Sequence, residues 1–124
     1  MLFIIVNIEI IMQLPTAYAL LALAIISEVT GSTFLVKSDG FSRFIPTCIT
    51  LICFAIAFYL LSHVVKVIPL GMTYAIWSGV GIVLTALIGV FILKQPLDTP
   101  AMIGIGFILA GVVIMNVFSS AATH

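Results

Sequence analysis

Of the 124 residues, 64% are hydrophobic and only 6% carry a charge, whereas an ordinary soluble domain carries about 25% charged residues. Four Lys/Arg balance four Asp/Glu, so the chain has no basic field to hold nucleic acid and no acidic tail, and nucleic-acid partners are excluded by composition. Cys48 and Cys53 form no CxxC pair and would point about 140° apart on a helix, which argues against both a disulfide framework and a metal site.

A membrane span needs roughly 20 apolar residues to cross a hydrocarbon core about 30 Å thick. Residues 1–14 read as a hydrophobic N-terminal extension, with Met12 as an alternative start and Pro15 expected in the first helical turn. A cleaved signal peptide fits this stretch poorly, because it lacks a positively charged beginning and holds Asn7 and Glu9 inside its apolar run. Between Glu9 and Lys37 the first span is broken only by Glu28. The second runs from Phe44 to Val65, the third from Val67 to Leu93 and the fourth from Thr99 to Ala122. Turn chemistry separates them: Lys37-Ser-Asp-Gly-Phe-Ser-Arg43, then Lys66 to Gly71 with Pro69, then Lys94-Gln-Pro-Leu-Asp-Thr-Pro100. The expected fold is therefore an all-α membrane protein, with residues 15–124 as one four-helix transmembrane domain. Four spans of about 20 residues use roughly two thirds of the chain, which leaves no room for an extramembrane enzyme. Lys37, Arg43 and Lys94 lie in the first and third connections and Lys66 in the second. This small bias places the first and third in the cytoplasm, and so narrow a margin is also compatible with insertion in both orientations.

Glu28 stands near the middle of the first span, where a carboxylate costs about 2.5–3.5 kcal/mol on the insertion scale and usually marks an ion or proton pathway. The bland account is a protonated acid acting as helix glue. No Lys or Arg in any span can neutralise it, so its partners are protons, a cationic ligand, or both. Leu21, Ala24, Glu28, Gly31 and Ser32 recur at three- and four-residue spacing on one stripe, with Tyr18 at its edge about three turns earlier. Small residues beside the acid leave room for a ligand, and they equally suit close helix packing.

In the third span Tyr74, Trp77, Ser78 and Gly81 fall at i, i+3, i+4 and i+7. Aromatic faces attract organic cations by about 0.5–2 kcal/mol each, while an interfacial aromatic belt is the plainer reading. Gly79 and Gly81 allow this helix to bend or to be closely approached. Phe58 shares a stripe with Phe54 and Leu61 in the second span and is a further candidate wall, with core or lipid contact as its other role. In the fourth span Gly104 and Gly111 lie one heptad apart, near Gly106 and Ala110, and read as a dimerisation seam. His63 at a span end and His124 in the tail read as solvated.

Ser27-Glu-Val-Thr-Gly31, the loop Lys37 to Arg43, and Pro69-Leu-Gly-Met-Thr-Tyr-Ala-Ile-Trp-Ser-Gly-Val-Gly-Ile-Val83 together resemble the small multidrug resistance family. The resemblance runs from about Pro15 to the C-terminus. It implies an antiparallel homodimer of four-helix subunits in the cell membrane that exports hydrophobic cations such as quaternary ammonium compounds and dyes in exchange for protons. No cofactor or metal is implied. The resemblance also assigns the acid matching Glu28 to alternate binding of proton and substrate, the residues matching Tyr18, Tyr74 and Trp77 to the walls of the site, and the Gly104 to Gly111 seam to subunit contact. Gly31 and Ser78 match the quaternary-ammonium branch, where a guanidinium-exporting branch commonly has tryptophan and threonine. Lys94-Gln-Pro-Leu-Asp98 departs from the expected pattern, which has arginine where Pro96 stands. Three other accounts remain open: a guanidinium exporter, whose branch this loop partly resembles, a subunit of a heteromeric pair within the family, and, from a different class, a structural or rotor-type proteolipid. The last typically has two spans and lacks the aromatic cluster.

Overall fold

A computed structural model describes residues 1–119, and the side chains of all of these except residues 6–12. Four helices follow one another: α1 Leu2–Lys37, α2 Phe44–Val64, α3 Leu70–Phe91 and α4 Thr99–Phe118. Each contains a stretch long and apolar enough to cross a membrane, with Gln13–Lys37 as that part of α1. No strand occurs among the described residues. The part of the fourth span expected beyond Ser119, and His124, lie outside the described residues.

The sequence places Pro15 in the first turn of a helix, but α1 runs through it without a break. Proline there removes one backbone donor and leaves the carbonyl four residues earlier without its partner. Membrane helices tolerate this where local geometry or neighbours satisfy the freed group. The third helix also begins later than the hydrophobic run, at Leu70, with extended Pro69 as its N-cap. Before it the chain closes two turns, Val67 N–H to Val64 O at 3.0 Å and Ile68 N–H to Val64 O at 2.9 Å.

Packing follows from the residues that each helix presents at four-residue spacing. Ala17, Leu21, Ile25 and Val29 form one stripe on α1 and meet Leu61 and Val64 of α2, Ile68 of the second connection and Met72 of α3. Burying side chains of this kind contributes about 1.5–3 kcal/mol each where water is the alternative, but between spans the driving force is close van der Waals fit and interhelical hydrogen bonding. Gly31 supplies that fit. A methyl group built on it would stand 2.9 Å from Phe54 Cε1 and 3.1 Å from Cys53 Cβ, and its carbonyl accepts a hydrogen bond from the buried Thr50 hydroxyl at 3.1 Å. Gly79 does the same for α3 against α4, where an added Cβ would meet Val112 Cγ2 at 2.6 Å.

The first connection turns on Ser38, which is fully buried. Its carbonyl accepts from Ser42 N–H and Arg43 N–H at 2.9 and 3.0 Å, while Asp39, Gly40 and Phe41 take positive φ in succession. The third connection starts where Lys94 adopts φ 57°, which brings Gln95 N–H back to Gly89 O at 2.7 Å. Asp98 then opens α4 by accepting from Ala101 N–H at 3.0 Å. His63, half-buried, lies edge-on to the Tyr59 ring at 5.0 Å.

Candidate functional site

Glu28 lies nine residues before the end of α1, about 14 Å along the helix axis, which places it near the middle of a bilayer-spanning segment. Its side chain is half-buried. One carboxylate oxygen, Oε1, accepts a hydrogen bond from Ser32 Oγ at 2.9 Å, one turn further along the same helix. The other, Oε2, faces α3, because a methyl group built at Gly81 would stand 3.8 Å from it and 3.7 Å from Trp77 Cδ1. Carboxylate and indole thus both border the bare α3 backbone at Gly81, where an added methyl would make ordinary contacts with each.

Around this acid lies an open groove of about 330 Å³, lined by Glu28, Tyr74, Trp77, Ser78, Gly81, Ile82 and Thr85. Trp77 is its central ring. Tyr74 lies tilted against it with centroids 5.3 Å apart, and Phe58 of α2 meets it edge-on at 5.9 Å and 77°. These offset and edge arrangements are the favoured ones for aromatic quadrupoles. They fix the indole without covering all of its face. No Lys or Arg lines the groove, so the carboxylate has no resident counter-ion there.

The structure thus brings Glu28, Tyr74, Trp77, Ser78 and Gly81 to one groove, with Ser32 behind the acid and Phe58 behind the indole. The other candidate residues are placed elsewhere. Leu21 and Ala24 are each only 2% exposed, and Leu21 belongs to the core that α1 forms with α2 and α3. Gly31 is the packing site for Phe54 rather than a wall of the groove. Tyr18 is 40% exposed and does not line the groove; ten residues from Glu28, it stands about 15 Å along the helix from it. Gly79 serves close packing, while Gly81 faces the acid. Gly104 and Gly111 are exposed, with nothing within 4 Å of an added Cβ. Ile82 and Thr85 also line the groove, beyond the residues that the Tyr74–Gly81 spacing singles out. They continue the Tyr74–Ser78 stripe by one further turn, so the same periodicity carried to residue 85 would have found them.

Replacing Ser32 with alanine is expected to leave the chain folded and to weaken, about three- to tenfold, the binding of any cation that pairs with the Glu28 carboxylate. The hydroxyl orients the carboxylate, and a hydrogen bond to a charged group contributes about 1.5–3 kcal/mol at most, part of which water recovers in an open groove. Binding isotherms of Ser32→Ala, with Ser32→Thr restoring the hydroxyl, check this.

Four apolar spans and a mid-membrane acid facing a cluster of aromatic rings define a polytopic membrane protein with an acidic, aromatic-lined groove. Residues 16–108 match the Small Multidrug Resistance protein family, and the chain belongs to it. It is 47% identical over 104 residues to the quaternary ammonium compound-resistance protein QacH of Staphylococcus saprophyticus, covering 84% of this chain and 97% of that protein. It is 46% identical over 107 residues to the multidrug transporter EmrE of Escherichia coli strain K12, covering 86% and 97%. Over 109 residues it is 43% identical to the multidrug transporter PA4990 of Pseudomonas aeruginosa, covering 88% and 99%. Membership makes the chain a multi-pass bacterial membrane protein of a multidrug-efflux transporter family, and not an enzyme.

Proposed function

We propose that this protein exports hydrophobic organic cations, quaternary ammonium compounds and cationic dyes among them, in exchange for protons. The observation that carries the reading is the Glu28 carboxylate, which faces an aromatic groove that holds no basic residue. A carboxylate within a membrane-spanning segment is neutralised either by a proton or by a bound cation. The two therefore compete for one group. Loading the cation releases the proton, and reprotonation releases the cation. Trp77, Tyr74 and Phe58 offer ring faces and apolar surface to a cation whose charge is wrapped in hydrocarbon, which suits loose recognition. The names of the relatives QacH and EmrE point the same way. Uptake of a quaternary ammonium compound into proteoliposomes, driven by an imposed pH gradient and absent without one, tests the reading. Equal uptake with and without the gradient would refute proton coupling.

The working unit in this proposal is an antiparallel homodimer, with the second copy, lipid, protons and the cation as partners. A groove of about 330 Å³ stands at the low end of the 300–1,000 Å³ found for small-molecule sites and is open on one side. A second copy supplies the missing wall and a second Glu28. Helix α4 has no buried residue within one chain. Its Val112 face meets α3 at Gly79, and Gly104 and Gly111 lie about 80–100° around the helix from Val112. A bare glycine face at that angle suits a close approach between two fourth helices. Gly111→Leu, alone or with Gly104→Leu, is expected to convert the dimer to monomer in detergent sizing and crosslinking. If the doubly substituted protein still runs as a dimer and transports, the seam lies elsewhere.

A further inference from the structure

The groove at Glu28 has a neighbour beyond Thr85. A second cavity of about 390 Å³ shares Ile82 and Thr85 with it and continues past Gly89 to Gln95, Pro96 and Leu97 in the third connection. The path follows α3 for eight residues from Gly81 to Gly89, about 12 Å. Among its polar atoms are several oxygens able to face a cation: the Glu28 carboxylate, the Ser78 and Thr85 hydroxyls, and the Gln95 amide oxygen. Thr85 Oγ1 is held in place by donating to Gly81 O at 2.6 Å, so its lone pairs remain available. At the far end, Gln95 is tethered rather than loose. The positive φ of Lys94 and the 2.7 Å bond from Gln95 N–H to Gly89 O fold the connection back onto the helix. The Gln95 side chain then lies over Gly89, where an added Cβ would stand 3.7 Å from Oε1.

We propose that Gly89 and Gln95 form the mouth by which a hydrophobic cation passes between Glu28 and the loop-three side of the membrane, and that this mouth sets the size of cation that passes rapidly. The proposal rests on the transport function inferred above. A neutral amide oxygen attracts a cation far less than a carboxylate does, so a cation is guided there without being retained. The glycine leaves the passage widest, since a Cβ on it already touches the amide oxygen and a longer side chain would extend into the remaining space. Because the mouth lies about 12 Å from the acid, it acts on entry and exit, and equilibrium binding is decided at Glu28 and the rings.

The test uses the full chain and two permanent cations, compact tetraethylammonium and bulky tetraphenylphosphonium. Binding is measured in detergent and pH-driven transport in proteoliposomes. For Gly89→Leu, affinities for both cations stay within about twofold of wild type, transport of the bulky cation falls about tenfold or more, and transport of the compact one falls less than about threefold, as expected of a gate outside the binding site. Gly89→Ala, whose methyl fits at ordinary contact distance, shifts the same ratio in the same direction by less and covers the case in which the leucine variant does not assemble. Failure of the wild type to move either cation overturns the transport function itself. Wild-type transport with an unchanged bulky-to-compact ratio in both Gly89 variants overturns the mouth alone.

Discussion

Replacing Glu28 with glutamine is expected to leave a folded four-helix protein that neither binds a permanent organic cation nor gives up a proton when one is added. Glutamine keeps the length of the side chain and an oxygen that accepts from Ser32, whose hydroxyl stands 2.9 Å from Oε1, so helix packing has no reason to change. What disappears is the charge. The aromatic rings alone offer about 0.5–2 kcal/mol each to a cation, too little to offset the loss of its hydration when it enters an apolar groove. Affinity therefore falls by at least about a hundredfold, the scale of losing a desolvated charge partner. Aspartate at the same position keeps the charge but withdraws it by one methylene from the Gly81 face. Binding survives in weakened form, and coupling is impaired because the shortened acid no longer reaches both the Ser32 hydroxyl and the groove. Cation binding as a function of pH for wild type, Glu28→Asp and Glu28→Gln distinguishes these outcomes. Wild-type binding weakens as pH falls, since protons compete for the carboxylate, and the glutamine variant shows no pH-dependent binding at all.

The second large effect is expected at Trp77. Its indole is the ring that both Tyr74 and Phe58 support, at centroid distances of 5.3 and 5.9 Å, and it lies beside the Gly81 backbone and the acid. Trp77→Ala removes the central apolar wall and its cation–π surface together, a loss of about 1–3 kcal/mol, or roughly five- to 150-fold in affinity. The fold is expected to persist, because Trp77 packs at the margin of the core rather than within its buried set. Trp77→Phe should recover part of the affinity and Trp77→Leu less, since only the former restores a quadrupole. Titration with a planar aromatic cation measures all three. Unchanged affinity in Trp77→Ala would remove this ring from the site.

The spans were legible because charge and turn residues interrupt the apolar runs within a residue or two of the observed ends of α2 and α4's start. The third helix is shorter than its hydrophobic run because hydropathy does not register that Pro69 is the N-cap and keeps the residue before it out of the helical region. At Pro15 a soluble-protein rule gave way to the membrane, where a proline within a helix is tolerated. The aromatic stripe on α3 was readable from periodicity. The far side of the site was less so. Leu21, Ala24 and Gly31 share a stripe with Glu28, but periodicity does not say which neighbour a stripe meets, and these three face helix packing while Glu28 and Ser32 stand at its edge. Small residues serve cavities and close contacts alike, and only the position of Phe54 over Gly31 separates the two roles. Phe54, Phe58 and Leu61, one stripe in sequence, divide in the same way into a packing ring, a support for Trp77 and a core residue.

The central claim is that one carboxylate, Glu28, is held by a proton or by an organic cation and not by both. The most direct measurement is proton release when a quaternary ammonium compound is mixed with purified protein in weakly buffered detergent solution. Wild type is expected to acidify the medium in proportion to the cation bound, saturating at the same cation concentration as binding, while Glu28→Gln releases nothing. Saturable cation binding without any proton release, or release that persists in Glu28→Gln, would contradict the claim.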